Sequence, residues 1–133
     1  GKMPTTCSAF QKPGQILAET WSYNGNWTLL LPTQPAPGRW GHQLVRDTLR
    51  NRLVTFGGRA PTVSGLANDT WIWNGTTWSA LATPAAPPRR FRYGMCYDSQ
   101  RDRVVLFGGR TTFAPGKSCS KRRMLSTSAP RQP

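Results

Sequence analysis

The chain has 133 residues, of which 37% are hydrophobic, 13 are glycine and 12 are proline. This composition favours a loop-rich β protein over a helical bundle, and the length allows one ordinary domain or part of a larger repeat architecture. The net charge is +13, and the sequence contains neither a membrane span nor the charged-then-apolar pattern of a secretion signal.

The chain begins with a segment that lacks any hydrophobic period. Residues 1–18 carry Pro, Gly, Ser and Thr, and they are predicted to form an N-terminal loop. Residues 19–31 are predicted to form a hairpin of two strands that turns at Asn24-Gly25. Trp21 and Tyr23 alternate with polar neighbours, so we expect both side chains on one face of the first strand.

Residues 39–82 are predicted to form four antiparallel strands in a single meander. The strands are expected at 41–47, 52–56, 69–73 and 77–81. The second strand is almost continuously apolar, which predicts burial on two faces, and it ends in Gly57-Gly58. Asn74-Gly75 is typical of a two-residue type I′ turn, since both residues tolerate a positive φ.

The same features recur along the chain at a fixed spacing. The acid-Thr-Trp-any-aromatic-Asn-Gly pattern of residues 19–25 returns 50 positions later at residues 69–75. Residues 52–59 return as residues 103–110, which is a shift of 51, and a Pro-rich link precedes each equivalent of the first strand. Residues 89–110 are therefore predicted to form the first two strands of a further unit, and the second of these, like residues 52–56, is expected to be buried on two faces. Residues 111–133 are predicted to be a basic, disordered tail.

This four-stranded repeat of about 50 residues resembles the Kelch repeat of β-propellers. The residues that carry the resemblance are the diglycines, the acid and the tryptophans: Gly57, Gly58, Asp69, Trp71, Trp78, Gly108, Gly109, Trp21 and Trp27. The resemblance implies an all-β fold with one complete blade at residues 39–82. Half-blades at residues 19–31 (strands three and four) and 89–110 (strands one and two) flank it. The motif glycines are expected to admit a close neighbouring sheet, and the tryptophans to fill the space between sheets.

Two half-units with open strand edges have three explanations that the sequence leaves open. The chain is a fragment of a longer propeller, or its two halves pair in one atypical sheet. Alternatively, the first half of one copy completes the second half of another, and a closed ring would then need about three or four copies.

The resemblance implies a non-enzymatic binding module that holds a protein or carbohydrate through loops at one end. The loop Ala60–Asn68 is one candidate, its counterpart is Met3–Ala18, and a third begins at Thr111–Pro115. The candidate ligand-binding residues are six arginines beside the links and loops: Arg39, Arg59, Arg89, Arg90, Arg92 and Arg110. If grouped, they suit a carboxylate, sulfate or phosphate, and the alternative is that each is separately solvated. Asp69 is expected to bond Arg59 or Arg110.

Two further functions remain open from the sequence. The chain could be part of a larger propeller hydrolase or oxidase whose catalytic residues lie elsewhere, or it could bind nucleic acid or another polyanion through its basic surface. A copper radical site like that of galactose oxidase needs several histidines, and His42 is the only one, so no catalytic residue, metal or cofactor is predicted. His42 is expected to be structural.

Smaller assignments concern cysteines and turn aspartates. Three cysteines are an odd number, which argues against a closed disulfide framework, and Cys96 is predicted to be a small core residue within a strand at 93–98. Asp47 and Asp98 fall at equivalent turns, where each is expected to cap its own backbone.

Overall fold

The computed structural model describes residues 15–62 and 64–111, and within these ranges the chain forms eight strands and no helix. The strands are β1 Thr20–Tyr23, β2 Trp27–Leu30, β3 Leu44–Asp47, β4 Arg52–Phe56, β5 Thr70–Trp73, β6 Trp78–Leu81, β7 Gly94–Asp98 and β8 Arg103–Phe107. The all-β prediction is confirmed. None of these residues contributes a helix that could cross a membrane. Cys7, Cys119 and nearly all of the predicted tail lie outside the described residues.

The strands form three antiparallel sheets. β3, β4, β5 and β6 pair in chain order to give a four-stranded central sheet, and the hairpins β1–β2 and β7–β8 flank it along the chain. All eight strands lie within or at the edge of the positions expected from the repeat. The central sheet pairs Val54 with Ile72, and Trp71 with Ala80.

The hairpin turn between β5 and β6 differs from the two-residue type I′ turn that Asn74-Gly75 predicts. Trp73 pairs with Trp78, so four residues lie in the loop, and only Gly75 among them has a positive φ, of 102°. Oδ1 of Asn74 accepts hydrogen bonds from the backbone N–H groups of Thr76 and Thr77, both at 2.9 Å. The asparagine therefore stabilises the wider loop with its side chain, and its backbone does not need a left-handed conformation.

Tryptophans fill the core between the first hairpin and the central sheet. Trp71, Trp73 and Trp78 are buried together with Ala36, and Leu30 of β2 packs against them. The rings of Trp73 and Trp78 are tilted, with centroids 5.4 Å apart. As predicted, Trp71 and Trp73 share one face of their strand, because alternate residues of a strand point to the same side.

The opposite face of the central sheet lies against the second hairpin. Val54 and Ile72, which point away from the tryptophans, line a cleft of about 350 Å³ together with Tyr97 and Val104 of the β7–β8 sheet. The two hairpins therefore lie on opposite faces of the central sheet. The central sheet is thus covered on both sides, as its apolar β4 predicts.

Equivalent residues of the outer hairpins are much more exposed. Phe56 of β4 is 4% exposed, whereas Phe107 of β8, at the same repeat position, is 84% exposed. The exposed side chains of β8 show that the prediction of burial on two faces is wrong for this strand. The prediction that Cys96 is a core residue is also wrong, since Cys96 is exposed. Among the described residues, β8 has β7 as its one neighbouring strand, which leaves its other edge uncovered.

Gly57 allows the link before β7 and the loop before β5 to approach the end of β4. Its φ is +55°, and a Cβ there would lie 2.9 Å from the carbonyl oxygen of Arg90 and 3.0 Å from that of Ala67. The adjacent Gly58 N–H donates to the same Arg90 carbonyl at 2.8 Å. The diglycine thus admits a close backbone approach, although the neighbours are a link and a loop and not the sheet that the prediction named.

Gly108 provides a matched test, because it occupies the equivalent position with a φ of +75° and a Cβ there would meet no atom within 4 Å. We expect Gly57→Ala to lower the free energy of unfolding by about 2 kcal/mol more than Gly108→Ala, since a backbone clash adds to the conformational strain. Urea unfolding of dilute, monomeric protein, followed by tryptophan fluorescence, measures the difference. Equal losses in the two variants would contradict this account of the diglycine.

Candidate ligand-binding surface

Arg39 lies in the proline-rich link before β3, where its side chain is buried. Its Nη1 donates to the Gly57 carbonyl at 2.8 Å, and Nη1 and Nη2 donate to the two carboxylate oxygens of Asp69 at 3.0 and 3.1 Å. Asp69 also accepts from Nε1 of Trp71 at 2.6 Å. The predicted pairing of Asp69 with Arg59 or Arg110 is therefore wrong, and Arg39 is occupied within the fold.

The ion pair changes the acidity of the carboxylate. Burial alone would raise the pKa of Asp69, but the hydrogen bonds from Arg39 and Trp71 and the positive charge of Arg39 outweigh it. The pKa of Asp69 therefore lies below its ordinary value, and the carboxylate stays charged in mild acid.

Arg90 repeats the bonding of Arg39 at a distance of 51 residues. Its Nε donates to the Pro88 carbonyl at 3.0 Å, as that of Arg39 does to Pro37 at 3.2 Å. Its Nη1 donates to the Gly108 carbonyl at 3.0 Å. The side chain of Arg90 is therefore also hydrogen-bonded to backbone carbonyls of its own repeat unit, and these bonds do not indicate a ligand site.

Two other predicted arginines meet at aromatic rings. The guanidinium carbon of Arg59 lies 5.6 Å from the ring centroid of Trp40, and that of Arg92 lies 5.8 Å from the same ring and 5.9 Å from that of Phe91. The rings of Trp40 and Phe91 meet edge to face with centroids 5.7 Å apart. We call Trp40, Arg59, Phe91 and Arg92 the arginine–aromatic cluster. Its contacts have cation–π geometry.

Strand direction explains why these residues meet. Because β3 and β4 are antiparallel, the segment that enters β3 and the loop that leaves β4 lie at the same end of the sheet. Trp40 and Arg59 form a backbone bridge at this end of the sheet. The Arg92 N–H donates to the Gly41 carbonyl at 2.7 Å, and this bond attaches the link before β7 to the link before β3. Arg92 has a φ of 54° and stands at the repeat position of Gly41. It therefore places a guanidinium group where the preceding unit has a glycine and no side chain.

A cleft of about 360 Å³ lies beside the loop that follows β4. Leu66 and Ala67 of this loop are buried, and the hydroxyl of Ser64 donates to the Leu66 carbonyl at 2.9 Å. Arg89, which is exposed, lines the far side of the cleft. The described part of the predicted loop Ala60–Asn68 is thus held by its own contacts, and polar side chains face the solvent.

The six arginines are therefore divided by the fold. Arg59 and Arg92 come together, Arg89 lies at the cleft, and Arg39 and Arg90 bond carbonyl groups of their own units. Arg110 pairs with Phe91 through two backbone hydrogen bonds of 3.1 and 2.9 Å, as Arg59 does with Trp40. Sequence reasoning missed the aromatic partners, although an aromatic residue directly follows an arginine in both links.

His42 lies close to this end, beside Gly58. Desolvation and the positive charge of Arg39 both lower the pKa of the imidazole, so His42 is neutral at pH 7. Within residues 15–62 and 64–111, no three His, Cys, Asp or Glu side chains are grouped so that they could hold a metal ion.

A second charged cluster lies at the opposite end, where the β3–β4 and β7–β8 turns meet. Both Nη atoms of Arg50 donate to the Asp102 carboxylate at 2.8 Å, and Nη1 also donates to Asp47 at 3.1 Å. Hydrogen bonds from Arg50 and from the Tyr97 hydroxyl lower the pKa of Asp102 to about 2. Asp47 caps its own turn by accepting from the Arg50 N–H at 3.2 Å, as predicted. Arg50 thus bridges two sheets.

The predicted cap at Asp98 is also present. Its Oδ1 accepts from the backbone N–H groups of Gln100 and Arg101, at 3.1 and 3.2 Å.

No family model matches the chain. The chain is similar to a segment of dynein regulatory complex subunit 7 of Chlamydomonas reinhardtii. The two are 33% identical over 76 residues, which is 55% of this chain and 6% of that protein. The chain therefore spans only a small part of the length of this relative.

The Arg39–Asp69 pair should be visible in the pH dependence of stability. The pKa of Asp69 is lower in the folded than in the unfolded state, so its contribution is complete above the unfolded pKa of about 3.9 and is lost as the pH falls below it. We expect Asp69→Asn to lower the free energy of unfolding by about 2 kcal/mol at pH 7 and to make the acid limb shallower. Urea unfolding from pH 7 to pH 2 measures both effects.

Glu19, at the equivalent position of the first hairpin, is the control. It is exposed, and it accepts a hydrogen bond from Nε1 of Trp21 at 3.0 Å. Glu19→Gln in dilute protein should change the free energy of unfolding by less than about 0.5 kcal/mol. If Asp69→Asn were equally mild, the ion pair would not be a main contributor to stability.

Proposed function

We propose that the chain is part of a Kelch-type β-propeller and acts as a non-enzymatic interaction module that binds an acidic segment of a protein partner. The arginine–aromatic cluster and the adjacent loop form the proposed binding surface. The observation that carries the proposal is the convergence of Arg59 and Arg92 on one tryptophan ring at the end of the sheet where the loop also lies.

The propeller part of the proposal is supported by the repeat. A four-stranded antiparallel meander lies between two hairpins that cover its opposite faces, which is how successive blades of a propeller stack. Equivalent backbone positions also share unusual conformations: Asn51 and Asp102 have φ values of 48° and 49°. In this interpretation β3 to β6 form the complete blade, and β1–β2 and β7–β8 are half-blades.

The binding part is supported by the chemistry of the cluster. Guanidinium groups offer forked donors that match the geometry of a carboxylate, and stacking on an aromatic ring limits the side-chain freedom that binding must remove. Tryptophan and arginine are also the residues most enriched at the energetic centres of protein interfaces, which favours a protein over a sugar. Arg92 is exposed and Trp40 is half-buried, so both are accessible to such a partner.

We expect the double substitution Arg59→Gln with Arg92→Gln to weaken binding of acidic peptides about tenfold or more, which corresponds to at least about 1.4 kcal/mol. A displayed peptide library selected on the unaltered chain should return sequences enriched in Asp and Glu. Fluorescence anisotropy of one labelled peptide from that selection then measures the dissociation constants.

The control pair removes the same charge from the other end of the sheet. Arg46 lies in β3 near the turn and Arg103 begins β8, and both are exposed. Arg46→Gln with Arg103→Gln should leave the affinity within about twofold at matched salt concentration. Equal weakening by both pairs would mean that total charge governs binding, which supports the polyanion alternative and refutes the proposed surface.

A further inference from the structure

We infer that the chain assembles head to tail, with β8 of one copy pairing antiparallel with β1 of a second copy. The product is a four-stranded sheet in the order β7, β8, then β1 and β2 of the second copy. Glu19 of the second copy provides the carboxylate for Arg90. This inference concerns the sheet edges and does not depend on which ligand the arginine–aromatic cluster binds.

The central sheet contains the geometry of this pairing. β4 pairs with β5 so that Val54 lies opposite Ile72 and Thr55 lies opposite Trp71. β8 repeats β4 at a shift of 51, and β1 repeats β5 at a shift of 50. Transferring the register places Val105 opposite Ser22 of the second copy, and Leu106 opposite Trp21.

The equivalents of Arg39 and Asp69, which form an ion pair in the central unit, are present at the two edges. Arg90 makes the carbonyl bonds of Arg39, to Pro88 and Gly108, but none of the described residues offers it a carboxylate. Glu19 accepts a bond from Trp21, as Asp69 does from Trp71, but it makes no ion pair with a described residue. Beside β8, Arg90 thus lacks a carboxylate among the described residues, and beside β1, Glu19 lacks a described arginine.

A count of the acidic residues narrows the source of the missing carboxylate. The chain has five acidic residues, and four of them, Asp47, Asp69, Asp98 and Asp102, form ion pairs with arginines. Glu19 is the remaining acid.

The exposed apolar residues of the two hairpins lie where the pairing would cover them. Trp21 is 49% exposed, whereas its equivalent Trp71 is 8% exposed, and Val105 is 43% exposed against 8% for Val54. In the central sheet these positions are protected by the neighbouring strands and by a facing sheet. Pairing of β8 with β1 would supply the neighbouring strand at both edges.

A second copy is required because β1 cannot reach β8 of its own chain. The two hairpins lie on opposite faces of the central sheet, as the cleft lining and the tryptophan core show. The first hairpin is also bonded to that sheet, since Nε1 of Trp78 donates to Oγ1 of Thr20 at 2.9 Å. Pairing within one chain would break these contacts.

Charge reversal tests the edge pairing. Light scattering and sedimentation of the full chain should show a mass that rises with concentration from 14.8 kDa to at least twice that value. Glu19→Lys and Arg90→Glu should each weaken this association about tenfold or more, because like charges would then face each other. An equimolar mixture of the two variants should associate again, since each interface between one variant and the other joins opposite charges.

Arg46→Glu reverses an exposed charge in β3, away from both edges, and should leave the association unchanged. A chain that stays at 14.8 kDa at every concentration would overturn the inference. So would association that survives Glu19→Lys. The mixing step separates loss of pairing from loss of folding, because a misfolded variant is not rescued by the other.

A cross-link tests the register. In a chain whose native cysteines are replaced by serine, copies with Ser22→Cys are mixed with copies carrying Val105→Cys and oxidised. Directly opposed residues lie within disulfide distance, so a mixed dimer should form at least about tenfold faster than with Val104→Cys. The neighbouring residue is the matched control, because its side chain points to the other face of β8. Equal rates for the two positions would refute the proposed pairing.

Discussion

The buried guanidinium of Arg39 joins three parts of the chain that are distant in sequence. It bonds the link before β3, the end of β4 at Gly57 and the start of β5 at Asp69. The Asp69 carboxylate in turn bonds the indole of Trp71, so the same interaction orients a tryptophan of the core. A charge buried in this way requires its partner, because an unpaired ion inside a protein costs several kcal/mol, about 3–5 in measured cases. The sheet, its entry link and its core are therefore stabilised together.

The repeat allowed most of the strands to be predicted from the sequence. The pattern of acid, Thr, Trp and Asn-Gly fixes a hairpin locally, and the diglycine marks the end of a strand, so β1 to β8 lie near their expected positions. Burial could not be predicted in the same way. Phe56 and Phe107 have the same sequence context, but among the described residues only Phe56 lies in a strand with a neighbouring strand on each side. The turn at Asn74 differed because side-chain bonding replaced the expected backbone conformation.

The site was predictable only in part. The arginines were identified from their places beside links and loops, but a sequence does not show which guanidinium is already occupied. Arg39 and Arg90 bond carbonyl groups that lie 18 residues away, and only the folded chain brings these together. Arg59 and Arg92 remained as candidates because each stacks on an aromatic ring. The network of Arg50 and Asp102 was not predicted, since it joins residues of two different units that are 52 positions apart.

The uneven covering of the three sheets has a consequence for the motions of the chain. Backbone amides of β4 and β5 lie between two strands and beneath covered faces, so their opening requires disruption of the whole central sheet. β1–β2 and β7–β8 are two-stranded ribbons with exposed side chains, and such ribbons are only marginally stable alone. We therefore expect slow amide exchange in the central sheet, quick exchange in the two flanking hairpins, and local unfolding that begins at the hairpins. A partner that binds either flank would slow amide exchange there without altering the centre.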